Sequence, residues 1–196
     1  FLGIYVSEGH ARRTKRKSEV YLAGRKKDVQ ERMVRTIKSI GFTPFISQRG
    51  VTIPNQIAYH LIKNVFKCGI GAWNKEVPFI IFNSADEIKW KFLEGYFAGD
   101  GYSKDSRIVF TTVSRKLATG LVLLLRQLGI KKIMITKHHC FRINVYESLP
   151  FVKIKNQKGI YYASLPYGRH IPLLKVLYTN LCINNCKYCY NRRTND

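Results

Sequence analysis

The chain reads as an α+β protein of two pseudo-symmetric halves packed through one helix from each. Two observations predict this. Residues 1–9 and 92–101 are alike: each run is apolar and aromatic-rich, and each ends in a carboxylate followed by glycine, Glu8-Gly9 and Asp100-Gly101. In each, two small residues stand four apart just before the acid, Gly3 and Ser7 in one, Gly95 and Gly99 in the other. Residues i and i+4 share a helix face, so each run predicts a helix with a flat stripe on which a second backbone can rest. Packed in parallel, the stripes bring Glu8 and Asp100 out side by side. Carboxylates that close repel, and a divalent cation relieves the repulsion. The second observation is that the pattern following each run recurs with a period of about ninety residues.

The elements follow in order. Residues 10–17 predict a strand and a turn, and residues 18–23 a strand closed by Gly24. Asp28 is the expected N-cap of a helix with Val29, Met33, Ile37 and Ile40 on its inner face and Gly41 as its stop. Residues 43–47 and 51–53 predict a hairpin about Gln48-Arg49-Gly50. Asn55 caps a helix whose apolar face is Ile57, Ala58, Leu61, Ile62 and Val65. Residues 68–74 read as a glycine-containing linker and 78–82 as a short apolar piece. Ser84 and Glu87 have the spacing of a capping box for the helix carrying the second run. Residues 107–111 then predict a strand. Ser114 opens a helix with Leu117, Leu121, Leu124, Leu125 and Leu128 inward, closed by Gly129. Residues 132–136 and 140–145 alternate as two strands around His138-His139. The expected divisions are 1–88 and 89–150 for the halves and 151–196 for a segment that does not continue the repeat.

The net charge is +22, from 34 Lys+Arg against 12 Asp+Glu. That imbalance calls for a polyanionic partner, nucleic acid first and an anionic membrane surface second. The basic residues are spread along the chain, which fits a patterned surface better than a basic tail. At 45% apolar and 13% aromatic residues the chain can bury a core, which excludes a disordered tail. No run approaches the roughly 20 apolar residues of a membrane span, and the N-terminus has no signal peptide. The expected location is therefore cytoplasmic. The chain opens on the first residue of a motif and reads as a fragment or processed piece. Five cysteines, three of them clustered, argue against a secreted disulfide framework. His10, His138 and His139 have no partner at zinc spacing and read as nucleic-acid-facing or solvated. Cys68 and Cys140 read as buried thiols.

The two runs resemble the LAGLIDADG motif of homing endonucleases. Its nine-residue pattern falls on residues 1–9 and 93–101, its acid on Glu8 and Asp100, and its first glycine on Gly3 and Gly95. Residues 78–83 ahead of the second motif and 110–116 after it resemble the subset found inside archaeal inteins and introns. The resemblance covers residues 1–150. It implies two αββαββα halves whose antiparallel sheets form a saddle on the DNA major groove, with one acid delivered to each strand. It implies a monomer acting on a long asymmetric double-stranded site, in a prokaryotic and archaeal setting. It also implies two or three Mg²⁺ ions bound by Glu8 and Asp100, with the backbone carbonyls of Gly9 and Gly101 as further ligands. Arg25 is the basic catalytic candidate in the first half, with Lys104 and Arg12 as alternatives. The matching place in the second half, Thr112 or Val113, carries no charge. Contacts to DNA are expected from Arg12, Arg13, Lys15, Lys17, Tyr21, Arg25, Gln48, Arg49 and Thr52 in the first half. Arg107, Thr111, Lys132, Lys137, His139 and Arg142 are their counterparts in the second. Most of these would grip phosphate and a minority read bases.

Residues 182–189 carry a second resemblance. Cys182, Cys186 and Cys189 have the Cys-x₃-Cys-x₂-Cys spacing of the radical-SAM signature, in which three thiolates hold a [4Fe–4S] cluster that binds S-adenosylmethionine. Together with residues 168–170 and 191–196, the tail resembles the opening of a radical-SAM family of DNA modification or repair. The chain after Cys189 is far too short for the barrel such enzymes need. The expectation is an endonuclease frame inside, or fused ahead of, a radical-SAM host, with the cysteines lacking catalytic function in this segment. Two readings stand beside the nuclease: a catalytically inactive, maturase-like LAGLIDADG protein that binds nucleic acid, and a fragment whose function is that of the radical-SAM host.

Overall fold

The structure, a computed structural model, describes residues 1–15, 17–104 and 106–154 and two short strands further on. Residues Phe1–Lys155 form one compact unit. Helix α1 (Leu2–Glu8) runs without a loop into β1 (Gly9–Arg13), followed by β2 (Ser18–Ala23), α2 (Lys27–Ser39), β3 (Phe45–Ser47), β4 (Gly50–Ile53) and α3 (Gln56–His60). The second half repeats this order as far as its second strand pair, with no counterpart of α3 among the described residues. A short α4 (Phe79–Phe82) leads to α5 (Asp86–Asp100), which runs directly into β5 (Gly101–Lys104), then β6 (Arg107–Thr112), α6 (Arg115–Gln127), β7 (Ile133–Lys137) and β8 (Phe141–Val145).

Each half holds a four-stranded antiparallel sheet, ordered β1-β2-β4-β3 and β5-β6-β8-β7. The identical order makes the pseudo-symmetry visible. Strand alternation divides each sheet into two faces. In the first, Val20, Leu22, Val51 and Ile53 are buried with Met33 and Ile37 of α2. In the second, Ile108, Phe110, Ile143 and Val145 are buried with Leu117, Leu121, Leu124 and Leu125 of α6. The opposite faces carry Arg12, Tyr21 and Thr52, and Tyr102, Thr111 and Arg142, by register.

Two expected caps form: the Asn55 side chain accepts from Ala58 N at 3.0 Å and Ser114 Oγ from Leu117 N at 3.2 Å. Others do not. Lys26, not Asp28, stands at the N-cap of α2, and Asp28 lies in its first turn, where a carboxylate still complements the helix dipole. Ala85 stands at the N-cap of α5 and no capping box forms, because Ser84 Oγ donates instead to Ile80 O at 2.7 Å. The helix after Asn55 gives way to a π turn over Leu61–Val65. The wider turn shifts the phase of the apolar face. Ala58 and Ile62 are buried, whereas Ile57 and Val65 are 65% and 64% exposed. Ile40 is also exposed.

The packing of the second half continues past the expected division at 150. Phe151 packs edge-on against Trp90 and tilted against Phe97 of α5, and Leu149 bridges to Val152. A separate unit, Asn156–Asp196, holds β9 (Ile160–Ser164) and β10 (His170–Leu174), paired antiparallel with Ile160 opposite Leu174. Cys182, Cys186 and Cys189 lie outside the described residues.

Candidate active site

The site begins with the contact between α1 and α5. Gly3 lies against Phe92 and Tyr96, where a Cβ would land on the Phe92 carbonyl oxygen. A Cβ on Gly95 would come within 3.3 Å of Ile4 N, and one on Gly99 would meet Ser7 and Glu8. Gly3 therefore faces Gly95, and Ser7 faces Gly99. The helices run in parallel, and their last residues, Glu8 and Asp100, emerge at the same end. Tyr5 and Tyr96, each fully buried, flank the contact. Gly9 and Gly101 have extended backbones, so conformation does not demand glycine there. Space does: a side chain at Gly9 would overlap Tyr5, and one at Gly101 would overlap Phe97.

Glu8, Gly9 and Asp100 line a cavity of about 480 Å³ with His10, Lys75, Thr111, Thr112, Val113 and Cys140 among its walls. Burial raises the Asp100 carboxyl to about 6, with the Glu8 charge adding to it and Lys75 opposing. Burial likewise raises Glu8, and Lys75 again opposes. Thr111 Oγ1 donates to Asp100 O at 2.9 Å, and Tyr96 Oη donates to Thr111 O at 2.6 Å, tying the end of α5 to β6.

The ammonium in this cavity belongs to Lys75, a residue the sequence did not single out. It is 4% exposed. Its Nζ donates to Tyr5 O at 2.5 Å and Gly9 O at 2.6 Å, and sits 4.0 Å from the centre of the Tyr5 ring. The loop before it makes this reach possible. Gly69 and Gly71 have φ of +79° and +80°, a region that favours glycine. The turn they form wraps Tyr5, whose Oη donates to Gly69 O at 3.2 Å. From the other half, Ser114 Oγ donates to Lys75 O at 2.6 Å. Burial lowers the Lys75 ammonium to about 8, while Cys68, Asp100 and Glu8 act the other way. Cys68 is fully buried, and burial pushes its thiol up to about 12. Cys140 is only half-buried and lines the cavity.

Arg25 and Lys104, the expected basic residues, are not among the lining groups. Arg25 follows β2 and is exposed. Lys104 ends β5, opposite Arg107 and three residues beyond Gly101, which carries it along the sheet and away from Asp100. Of the surface residues, Arg12, Tyr21, Thr52, Arg107, Thr111 and Arg142 share the open sheet faces by register. Arg13 and Lys137 fall on the opposite faces, and Lys137 Nζ lies 5.3 Å from the Phe141 ring centre. Lys15, Lys17, Gln48, Arg49 and His139 lie in turns between strands, and Lys132 precedes β7. His10, read from the sequence as nucleic-acid-facing or solvated, lies on the open face by register, and so do Tyr102, Thr136 and Asn144, which the sequence reading passed over. Strict alternation would have found them had the strand limits been known.

Among the described residues no three His, Cys, Asp or Glu side chains gather to hold a metal. The donor set at the helix ends is two carboxylates beside backbone carbonyls. That set suits a hard cation such as Mg²⁺, which keeps several waters and takes few protein ligands. Burial first and the Glu8 charge second disfavour the Asp100 carboxylate, and a bound cation would offset both.

Residues 87–163 match the family model of a LAGLIDADG-like domain, and the chain has the α+β fold of the LAGLIDADG homing endonucleases. The match passes the expected division at 150. Among curated proteins the chain is 37% identical over 172 residues to a DNA polymerase of Thermococcus aggregans, covering 84% of this chain and 9% of that protein. It is 38% identical over 170 residues to a DNA polymerase of Thermococcus hydrothermalis, covering 83% and 10%. The chain thus spans about a tenth of the length of the curated relatives it matches. Among solved structures, I-DmoI in complex with DNA and Mn matches with a TM-score of 0.54 at 13% identity, over 74% of this chain and 85% of that one. I-DmoI with DNA and Ca matches at 0.54 and 11%, over 80% and 91%. Among the described residues no helix is long and apolar enough to cross a membrane.

Proposed function

We propose that this chain is the endonuclease part of an archaeal homing element, hydrolysing both strands of double-stranded DNA at a long asymmetric site. The observation that carries the reading is the convergence of Glu8 and Asp100 at the parallel ends of two helices in backbone contact, inside a cavity that also holds Lys75. Relatives that match along only a tenth of a polymerase suit a segment inserted into a longer chain, as in the intein and intron subset that the motifs resemble. Likeness to I-DmoI, described in complex with DNA and with Mn or Ca, supports duplex DNA as the partner and a divalent ion as the cofactor. One chain holds both halves, which suits a monomer.

Glu8 and Asp100 would hold Mg²⁺, with Gly9 O and Gly101 O as further donors. The metal supplies activation of water and neutralisation of the departing 3′ oxygen. The protein's own groups do the rest. Glu8 and Asp100 each face one scissile phosphate. Lys75, fixed by two carbonyls and the Tyr5 ring, places a positive charge where phosphate charge grows in the transition state. Thr111 and Tyr96 hold the Asp100 backbone still. The open sheet faces bring Arg and Lys to the phosphates and polar side chains to base edges.

The reading is tested by incubating the protein with a plasmid carrying the uninterrupted host gene, or a library of randomised sites, in Mg²⁺ and then in Ca²⁺. Linear product in Mg²⁺ that disappears in Glu8→Gln and Asp100→Asn supports it. Sequence-selective binding with no cutting in either metal would replace it with the nucleic-acid-binding alternative.

A further inference from the structure

We propose that Glu19 is a positioning residue that holds Arg12 as a guanine reader on the first sheet. This rests on the DNA-cutting reading above.

Arg12 of β1 and Glu19 of β2 stand directly opposite each other, so their side chains share the open face. Arg12 Nε donates to Glu19 Oε1 at 2.5 Å, and Lys17 Nζ lies 3.7 Å from the other oxygen. The two ends of the pair differ sharply in exposure: the Glu19 side chain is 6% exposed and that of Arg12 63%. The carboxylate is thus sunk into the sheet face, with the guanidinium projecting beyond it.

A buried acid is out of place on a surface meant only to grip phosphate. The chain has 34 basic residues against 12 acidic ones, and a negative charge here subtracts from the attraction to a polyanion. What Glu19 adds is orientation. The guanidinium is planar and presents its donors as a fixed fork. Anchoring it through Nε leaves both terminal nitrogens free on the outward edge. Arg rigidly set in that manner matches the O6 and N7 acceptors that guanine shows in the major groove. Pre-fixing the side chain also removes ordering cost at binding. Glu19 offsets part of the long-range charge while sharpening hydrogen-bond direction, the combination that favours a base edge over a phosphate.

The register also places the contact. Arg12 lies four residues beyond Glu8, about 13 Å along an extended strand. At about 3.4 Å per nucleotide step, the guanine falls about four base pairs from the phosphate served by Glu8.

The test is selection of bound sites from a randomised duplex library in Ca²⁺, comparing the wild-type protein with Glu19→Ala, Glu19→Gln and Arg12→Lys. The wild type is expected to prefer guanine at one position in one half-site. Glu19→Ala lowers that preference about tenfold and leaves the other positions unchanged. Glu19→Gln keeps an acceptor for Nε and falls between. Arg12→Lys keeps the charge, loses the fork and loses the preference. Thermal melting shows which variants fold, and Glu19→Gln, nearly isosteric, carries the test if Glu19→Ala does not. Unchanged selection by a folded Glu19 variant, or a guanine preference that survives Arg12→Lys, overturns the proposal while the nuclease reading stands. A wild-type protein that selects no site overturns both.

Discussion

Lys75 and Gly9 are joined by a 2.6 Å hydrogen bond from ammonium to carbonyl. The bond links the far end of the first half to the point where its motif helix turns into a strand. With the bond to Tyr5 O, it places a buried cation at the mouth of the carboxylate pair.

Replacing Lys75 with methionine keeps the apolar stem and removes the donor. Losing the ammonium's bonds to the Tyr5 and Gly9 carbonyls costs about 1–3 kcal/mol, read as a lower midpoint in thermal or denaturant unfolding. Mg²⁺-dependent cutting is expected to fall by about 10²–10³-fold, with binding in Ca²⁺ largely kept. Cutting at the wild-type rate would show that the ammonium is only structural.

Asp100→Asn is expected to move stability and activity in opposite directions. The Asp100 carboxyl sits near 6 because burial and Glu8 disfavour its charge. A neutral amide removes that cost, so the metal-free variant should melt a few degrees higher at pH 8 while losing cleavage. A midpoint below that of the wild type would contradict the repulsion argument.

The same carboxyl fixes a pH dependence. Its folded value, about 6, lies above the ordinary 3.8, so the folded protein holds this proton more tightly than the unfolded chain. The contribution to stability is fully present below about pH 4 and is lost as pH rises through 6. On the proposed reading, Mg²⁺ would bind the ionised form and offset the loss. The rise in melting temperature on adding Mg²⁺ should therefore be larger at pH 8 than at pH 5, as differential scanning fluorimetry would show. An equal rise at both would remove Asp100 as the ligand that matters.

The interface glycines should rank in tolerance. Gly3→Ala places a methyl on the Phe92 carbonyl, where backbone must move, whereas Gly95→Ala meets Ile4 N at 3.3 Å. Overpacking of this kind costs about 1–3 kcal/mol. Urea melts should show Gly3→Ala as clearly the more damaging. The reverse order would mean that the helices slide readily.

The motif helices, the two halves and the Asn55 and Ser114 caps were legible because their signals are local. A stripe four residues apart, or a polar residue ahead of an apolar periodic run, can be read within a dozen positions. Lys75 was not legible. Its partners Tyr5 and Gly9 lie more than sixty residues away, and a lysine beside Glu76 looks like ordinary surface. The one hint is its isolation from the basic clusters, next to the apolar run 77–82. Ser84 misled for the opposite reason: its spacing to Glu87 is right, but α4 offered its hydroxyl a nearer carbonyl. Glu19 was passed over because a single acid in a strand carries no pattern of its own.

The glycine contact between α1 and α5 makes the pair a fixed gauge. The step between Glu8 and Asp100 is set where backbone touches backbone, so no side chain on either sheet adjusts it. The surface that meets a partner can therefore be rewritten residue by residue, in nature or by design, without altering the span between the two acids.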